Sequence, residues 1–452
     1  IDPCMGSGHI LIAMFDVLVD IYESAGYDKR EAAFEIVEHN IHGLDIDQRA
    51  YQLAYFAVMM KGRGYNRRFL RGRDGKPEPK VYAIVESNEI NRNHLQFFGT
   101  HLSEMERNLA VMQIEGLLDT FKAAREYGSI LNVDACDWNV LERFVDDLGT
   151  MGQISFESVG CEETQTSLRK LVRVAKNLGQ KYDAVVTNPP YMGASGMGAK
   201  LSKYVKYNYS DSKSDLFAVF IEKCGHMAKK NGYQAMITQH AWMFLSSFEK
   251  LRVKILETEI VNMVHLGARA FEEIGGEVVQ TTSFILRKSH IADYKGKYCR
   301  LIDPVSQQGK EEMLFAGENR YIADQTNFSK IPGCPIVYSV GKTFFDAFDK
   351  GKLIGNFSTV SEGVKTGNNE KYLRLWFEID KRDFSFAIKR YSKWVPHHKG
   401  GDYRKWYGNR EWVIFWDNDG AEIKASSNSG LQGKSMYFKK FASWSKISSK
   451  GN

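Results

Sequence analysis

The chain has 452 residues, 43% hydrophobic and 26% charged, with a formal net charge of +6. That length admits two or three domains of ~100–200 residues, with the balance of a globular protein that has a sizeable core. No run approaches the ~18 apolar residues needed to cross a bilayer and no signal peptide is visible, while six scattered cysteines lack paired metal-ligand spacing; the expectation is a cytoplasmic protein with free thiols, no membrane partner and no metal.

From the start, "DPCMGSG" reads as a loop and "HILIAMFDVLVDIYESAG" as a helix, its apolar residues three and four apart and Gly26 its stop. After a second helix, "NIHGLDID" is a short strand ending in acids, and "QRAYQLAYFAVMMKG" is a further helix. Strand–helix alternation of this kind predicts a parallel sheet in an α/β fold. Residues 63–80 are basic and rich in Gly and Pro, an exposed insertion, and "VYAIVESN" follows as a third buried strand. Polar, helix-prone insertions at about 94–127 and 139–180 flank "SILNVDACDW", a candidate strand. "YDAVVTNPPY" is the next clear strand. Beyond it come a helix over "SDLFAVFIEKCGHMAKK", a strand "GYQAMITQ", a helix near 248–257, and strands "IVNMVHLG" and "TTSFILRKS".

The character changes near residue 327, where "SKIPGCPIVYSVG" resembles a linker. A catalytic domain is therefore expected over 1–330 and a second domain of short, irregular strands over 331–452. The second holds 21 Lys+Arg against 12 Asp+Glu and six of the eight tryptophans, which leaves the first at −3. A basic, aromatic-rich module suits a polyanion partner; a solvated basic face is the alternative.

Three stretches carry chemistry. In "DPCMGSG", glycines before a helix let the main chain approach a ligand, and the helix N-terminus offers free N–H groups. The stretch has no phosphate-binding Lys and carries Asp2 instead, which suits a cationic, amino-acid-bearing ligand such as S-adenosylmethionine; a plain tight turn is the alternative. In "GLDID", Asp45 at a strand end can accept from both hydroxyls of a ribose, whereas Asp47 fits a helix cap. In "TNPPYMG", Asn188 offers a side-chain carbonyl and the next residue a main-chain carbonyl, two acceptors that together could localise the lone pair of an aminopurine. Pro189 and Pro190, which cannot donate main-chain hydrogen bonds, hold that geometry, and Tyr191 offers a stacking ring. No nucleophile is needed, since orientation and polarisation of the amine suffice.

These stretches, in this order, resemble the amino-group DNA methyltransferases of the adenine-N6 class. The longer strings "NPPYMGASGM", "SDLFAVFIEKC", "ITQHAWMFLSSFEKLR", "HLGARAFEEIGGEVVQTTSFIL" and "GVKTGNNEKYLR" resemble the large adenine-specific methyltransferases of BREX bacteriophage-exclusion systems, over nearly the whole chain. The resemblance implies a Rossmann-like S-adenosylmethionine-dependent methyltransferase sheet with helical insertions, then a partial β-rich target-recognition domain. It also implies a site-specific enzyme that flips adenine from double-stranded DNA, marks host DNA and works with other phage-defence proteins. Asp2, Pro3, Cys4, Gly6, Ser7, Gly8 and Asp45 would contact the cofactor. Its adenine would meet either Glu86, by strand order, or Asp134, by nearness to the catalytic strand. Asp215 and Phe217 match a motif that closes the cofactor pocket. Asn188, Pro189, Pro190 and Tyr191 would hold the flipped base, while Lys365, Thr366, Asn368, Tyr403, Arg404, Lys405 and Trp406 would contact DNA. The family's N-terminal region and nearly all of the first strand are missing, and the chain stops inside the recognition region, so a fragment is expected. The other readings are the methyltransferase part of a single-chain restriction–modification enzyme, a protein glutamine methyltransferase, and a non-catalytic DNA-recognition subunit.

Overall fold

The apolar spacing of the first segment forms a helix, His9–Ser24, that buries Leu11, Phe15 and Val19, and Gly26 follows its end at φ 90°. Asp47 caps the helix Gln48–Tyr65 by accepting from the Arg49 N–H. Between them, strand β1 (His42–Asp45) pairs in parallel with β2 (Lys80–Ala83). The structure is a computed structural model and describes all residues except 74, 150–158, 272–278, 385–391, 402, 403, 405, 406 and 445–452.

A second sheet has the order β3-β4-β6-β5-β7-β8, formed by β3 (Tyr182–Thr187), β4 (Ala228–Gln239), β5 (Glu259–Gly267), β6 (Thr281–Arg287), β7 (Lys295–Arg300) and β8 (Arg320–Asp324). β3 and β4 run parallel, and β6 is antiparallel to both β4 and β5. Ile1 and Asp2 join the two sheets. Asp2 bridges Gly43 in parallel, Ile1 N donates to Ala184 O at 2.8 Å, and Val186 N donates to Ile1 O at 2.9 Å. The joined order is β2, β1, residues 1–2, β3, β4, β6, β5, with one antiparallel strand. This is the Rossmann-like methyltransferase sheet the resemblance implies.

Four expectations shift. "GYQAMITQ" lies in a longer strand that starts at Ala228, since the preceding helix stops at Met227. Of "VYAIVESN", only residues to Ala83 belong to β2. "SILNVDACDW" forms no strand: Gly128–Ile130 is a 3-10 turn, and helix starts at Trp138. The insertions are also less polar than their composition reads. The helix Glu104–Thr120 buries Ala110, Ile114, Leu117 and Leu118, and Cys161–Gly179 buries Leu168, Leu171, Val172 and Leu178. At about 1.5–3 kcal/mol for each large apolar side chain, these helices contribute substantially to the core.

The first compact unit is Ile1–Lys350 and the second Gly351–Asn452, so the division falls later than the boundary expected at 330. The reason is packing: Ile331, Ile336, Tyr338 and Phe345 are buried with the first core, and Ile336 N–H donates to Met243 O at 2.9 Å. The second unit holds a three-stranded sheet β10-β12-β11, made of β10 (Leu373–Leu375), β11 (Trp394–Pro396) and β12 (Trp412–Phe415). Beside it in the same unit, β9 (Val364–Lys365) pairs with β13 (Gly430–Leu431). No described helix is long and apolar enough to cross a membrane.

Candidate active site

In an open parallel sheet, ligands bind beyond the carboxyl ends of strands where the strand order reverses. Here that point is Ile1–Asp2, flanked by β1 and β3; the glycine loop leaves from it, and the Asn-Pro-Pro-Tyr corner leaves from the adjoining end of β3.

The Asp2 carboxylate is fully buried. Its Oδ1 accepts from the Cys4 N–H at 3.0 Å and the Thr187 hydroxyl at 2.7 Å, while Oδ2 has no partner among the described residues. Burial pushes its pKa up to about 6, with the Thr187 and Cys4 hydrogen bonds opposing the rise. Asp45 is tied back onto the glycine loop: Oδ2 accepts from the Gly6 N–H and Oδ1 from the Asp47 N–H, both at 2.9 Å. Gly6 and Gly8 have φ of 51° and 91°. A Cβ on Gly8 would lie 3.1 Å from Ala54 Cα, whereas one on Gly6 would meet nothing within 4 Å. Gly8 is thus a packing requirement, and Gly6 leaves open space above the loop. Pro3 is buried, Ser7 exposed, and the half-buried Cys4 has its thiol raised by desolvation.

Across the joint, β3 delivers Thr187 and then the corner. Asn188 and Pro190 are exposed, Pro189 is buried and Tyr191 half-buried. The Tyr191 hydroxyl lies 3.3 Å from Asn188 Oδ1 and 3.4 Å from Ile237 O, and burial pushes it up to about 12. Phe217 meets the Tyr191 ring edge-on, with centroids 6.1 Å apart. Asp215 Oδ1 accepts from Met192 N–H at 3.1 Å and Phe217 N–H at 3.3 Å, capping the helix Leu216–Met227. Desolvation raises the Asp215 carboxyl against those bonds. Asp215 and Phe217, expected at the cofactor, therefore have these contacts with the corner and its exit.

Of the two acids considered for the cofactor's adenine, Glu86 follows Ile84, whose N–H donates to Asp45 O at 2.8 Å, so it lies on the same edge as Asp45. Asp134 is exposed in the irregular segment that follows the turn Gly128–Ile130. Sequence reasoning missed Thr187. It links the corner to Asp2, and its only signal was its place directly before Asn188. Among the described residues, no group of three or more His, Cys, Asp or Glu is arranged to hold a metal ion.

In the second unit, Lys365 is exposed and pairs with Glu362 at 2.7 Å. Thr366 is buried and donates to Asn369 Oδ1 at 2.5 Å, and Asn368 caps the turn Asn369–Tyr372 through the Lys371 N–H. The latter two side chains are thus spent on shaping their loop. Arg404 has its stem against Gly408, while Tyr403, Lys405 and Trp406 lie outside the described residues.

Residues 39–271 match the Eco57I restriction-modification methylase family. The adenine-specific methyltransferase PglX of Lacticaseibacillus casei (strain Zhang) is 42% identical over 99% of this chain and 38% of its own length. The adenine-specific methyltransferase BrxX of Escherichia coli O9:H4 (strain HS) is 37% identical over 100% of this chain and 38% of its own. The type II methyltransferase M.VspI of Vibrio sp. (strain 343) is 24% identical over 48% of this chain and 49% of its own. The chain thus spans 38% of the length of the first two. Its own sheet, glycine loop and Asn188–Tyr191 corner accord with the match: the chain belongs to the Eco57I restriction-modification methylase family.

Proposed function

We propose that this chain carries the catalytic centre of an S-adenosylmethionine-dependent, site-specific DNA adenine-N6 methyltransferase acting in bacteriophage exclusion and host DNA marking with other defence proteins. One observation carries the reading: the Asn188–Tyr191 corner is joined through Thr187 to a buried carboxylate, Asp2, whose Oδ2 has no partner among the described residues. A buried charge without a partner is costly, so an acceptor of this kind suits a cationic ligand seated beside the corner.

The residues present fit the cofactor. Asp2 Oδ2 would hold the ammonium of its methionine part, the open side of Gly6 gives it room, and Asp45 retains lone pairs for ribose hydroxyls. When bound, S-adenosylmethionine supplies an electrophilic methyl group on a positively charged sulfur. The chain's own work is to orient the acceptor. Asn188 Oδ1 and the Pro189 carbonyl accept from the two amino hydrogens of an adenine turned out of the duplex, which concentrates the lone pair on N6. Pro189 and Pro190 keep those acceptors fixed, and Tyr191, braced by Phe217, stacks on the base. Asp215 holds the loop that leaves the corner through Met192. The basic second unit contacts the duplex, with Lys365 and Arg404 on its phosphates.

Modification-sensitive sequencing of DNA from cells expressing the protein tests the reading. N6-methyladenine at one defined motif, absent with Asn188→Ala, is expected; modified cytosine or no modified base would refute it.

A further inference from the structure

The second unit contains a cleft of about 530 Å³ lined by two separate segments, 363–369 and 397–400, with Leu373 between them in the sequence. The second segment continues β11: His397 N–H donates to Trp412 O at 2.9 Å, which anchors this wall to β12. The first is anchored at Gly367, where φ is 68° and a Cβ would lie 2.6 Å from Asn428 O, so only glycine fits. Buried Thr366 stiffens the same loop through its bond to Asn369.

Among the described residues, the charged groups of the lining are cationic. Lys365 and Lys399 line the cleft, and among the described residues that line it there is no carboxylate. The Lys399 ammonium sits 4.1 Å above the Trp412 ring, a contact that orients the cation without neutralising it. Lys365 pairs with Glu362, which lies outside the lining; the pair is solvent-exposed, of a kind a more highly charged anion can displace. Burial, with His398 and Lys399 nearby, holds the His397 ring down at about 4, so it enters as a neutral hydrogen-bonding group. Two lysines from two anchored segments, with no acid among the described residues of the lining, give the cleft a chemistry that suits an anion.

We propose that this cleft seats a phosphodiester of the DNA backbone, with Lys365 and Lys399 converging on its oxygens. The inference rests on the DNA-modifying reading above and deepens it. A phosphate contact sets the register of the duplex and reads no bases, so the cleft fixes where the unit sits and leaves sequence choice to other groups.

Fluorescence anisotropy of labelled duplexes across a salt series tests it. Lys365→Gln and Lys399→Gln are each expected to reduce the slope of log K against log salt by about one, equally on every duplex sequence. Cofactor affinity and Tm should stay at wild-type values. Glu362→Gln releases Lys365 and is expected to tighten binding, a gain that misfolding cannot produce. An unchanged slope in both lysine variants of a DNA-binding protein overturns the cleft alone, as does a loss confined to one sequence, which is base readout. A wild-type protein that binds no duplex at any salt overturns the DNA reading and the cleft with it.

Discussion

Thr187→Val removes the hydroxyl that donates to Asp2 Oδ1 at 2.7 Å while nearly conserving shape. Thr187 is 1% exposed and Asp2 0%, so no water replaces the donor. A hydrogen bond to a buried carboxylate contributes about 1.5–3 kcal/mol. In the native chain, burial has already lifted this carboxyl from 3.8 to about 6. Between about pH 4 and 6 the folded state retains a proton that the unfolded chain releases, so this group's contribution to stability falls as pH rises through that window. Losing the Thr187 donor raises the carboxyl by roughly one to two further units at about 1.4 kcal/mol each, into the range of about 7–8. A cationic ligand binds the ionised form. S-adenosylmethionine affinity should therefore rise with pH through about 6 in the wild type and through about 7–8 in the variant, which at pH 7 binds about two- to tenfold more weakly. Isothermal titration calorimetry from about pH 5.5 to 8.5 measures both curves. Equal midpoints with equal dissociation constants would show that Asp2 does not face the cation.

Asn188→Ala should lower single-turnover methyl transfer on the order of 10²–10³-fold, the usual loss for one preorganised polar group, while DNA and cofactor dissociation constants stay unchanged; transfer at near wild-type rate would exclude the two-acceptor geometry. Gly8→Ala and Gly6→Ala should separate packing from ligand space. The first drives a Cβ to 3.1 Å from Ala54 and should lower Tm in calorimetry, while the second costs about 1–2 kcal/mol of left-handed strain and mainly weakens cofactor binding. Equal effects on Tm and affinity in both variants would contradict that division. His265 Nε2 lies 2.7 Å from His240 Nδ1, and burial pushes His265 down to about 3 and His240 in the same direction. A base depressed by folding contributes stability above its unfolded pKa that is lost as pH falls, so pH 5 should cost about 2 kcal/mol through His265. His265→Asn should flatten the fall in Tm between about pH 7 and 5, and an unflattened curve counts against the assignment.

What could be read from the sequence is what contiguous residues determine. The helix His9–Ser24 follows from its own spacing, Asp47 caps the helix it precedes, and the Asn188–Tyr191 corner is one string whose chemistry is written in its residue types. What could not be read depends on which distant group satisfies a main-chain or buried polar atom. "SILNVDACDW" has the apolar content of a strand, yet its carbonyls and amides are taken by side chains: Tyr209 donates to Ile130 O at 2.6 Å, Lys223 to Leu131 O at 2.5 Å, and Asn132 N–H donates to Tyr204 Oη at 3.0 Å. A strand needs a neighbouring ladder, and here the side chains took its place. "SKIPGCPIVYSVG" reads as a linker from its Pro and Gly, but Arg252, buried and bonded to Gly333 O at 2.8 Å, holds it on the first unit's core. The same logic governs the site. Asp2 and Thr187 are 185 residues apart, and neither string reveals the other, yet their bond ties the glycine loop to the Asn188–Tyr191 corner. Motif order can place both stretches near one ligand. Only the fold shows that a buried carboxylate at the joint has one oxygen already committed to the corner and the other without a partner among the described residues; a cationic group placed there would meet a buried acceptor that nothing else satisfies.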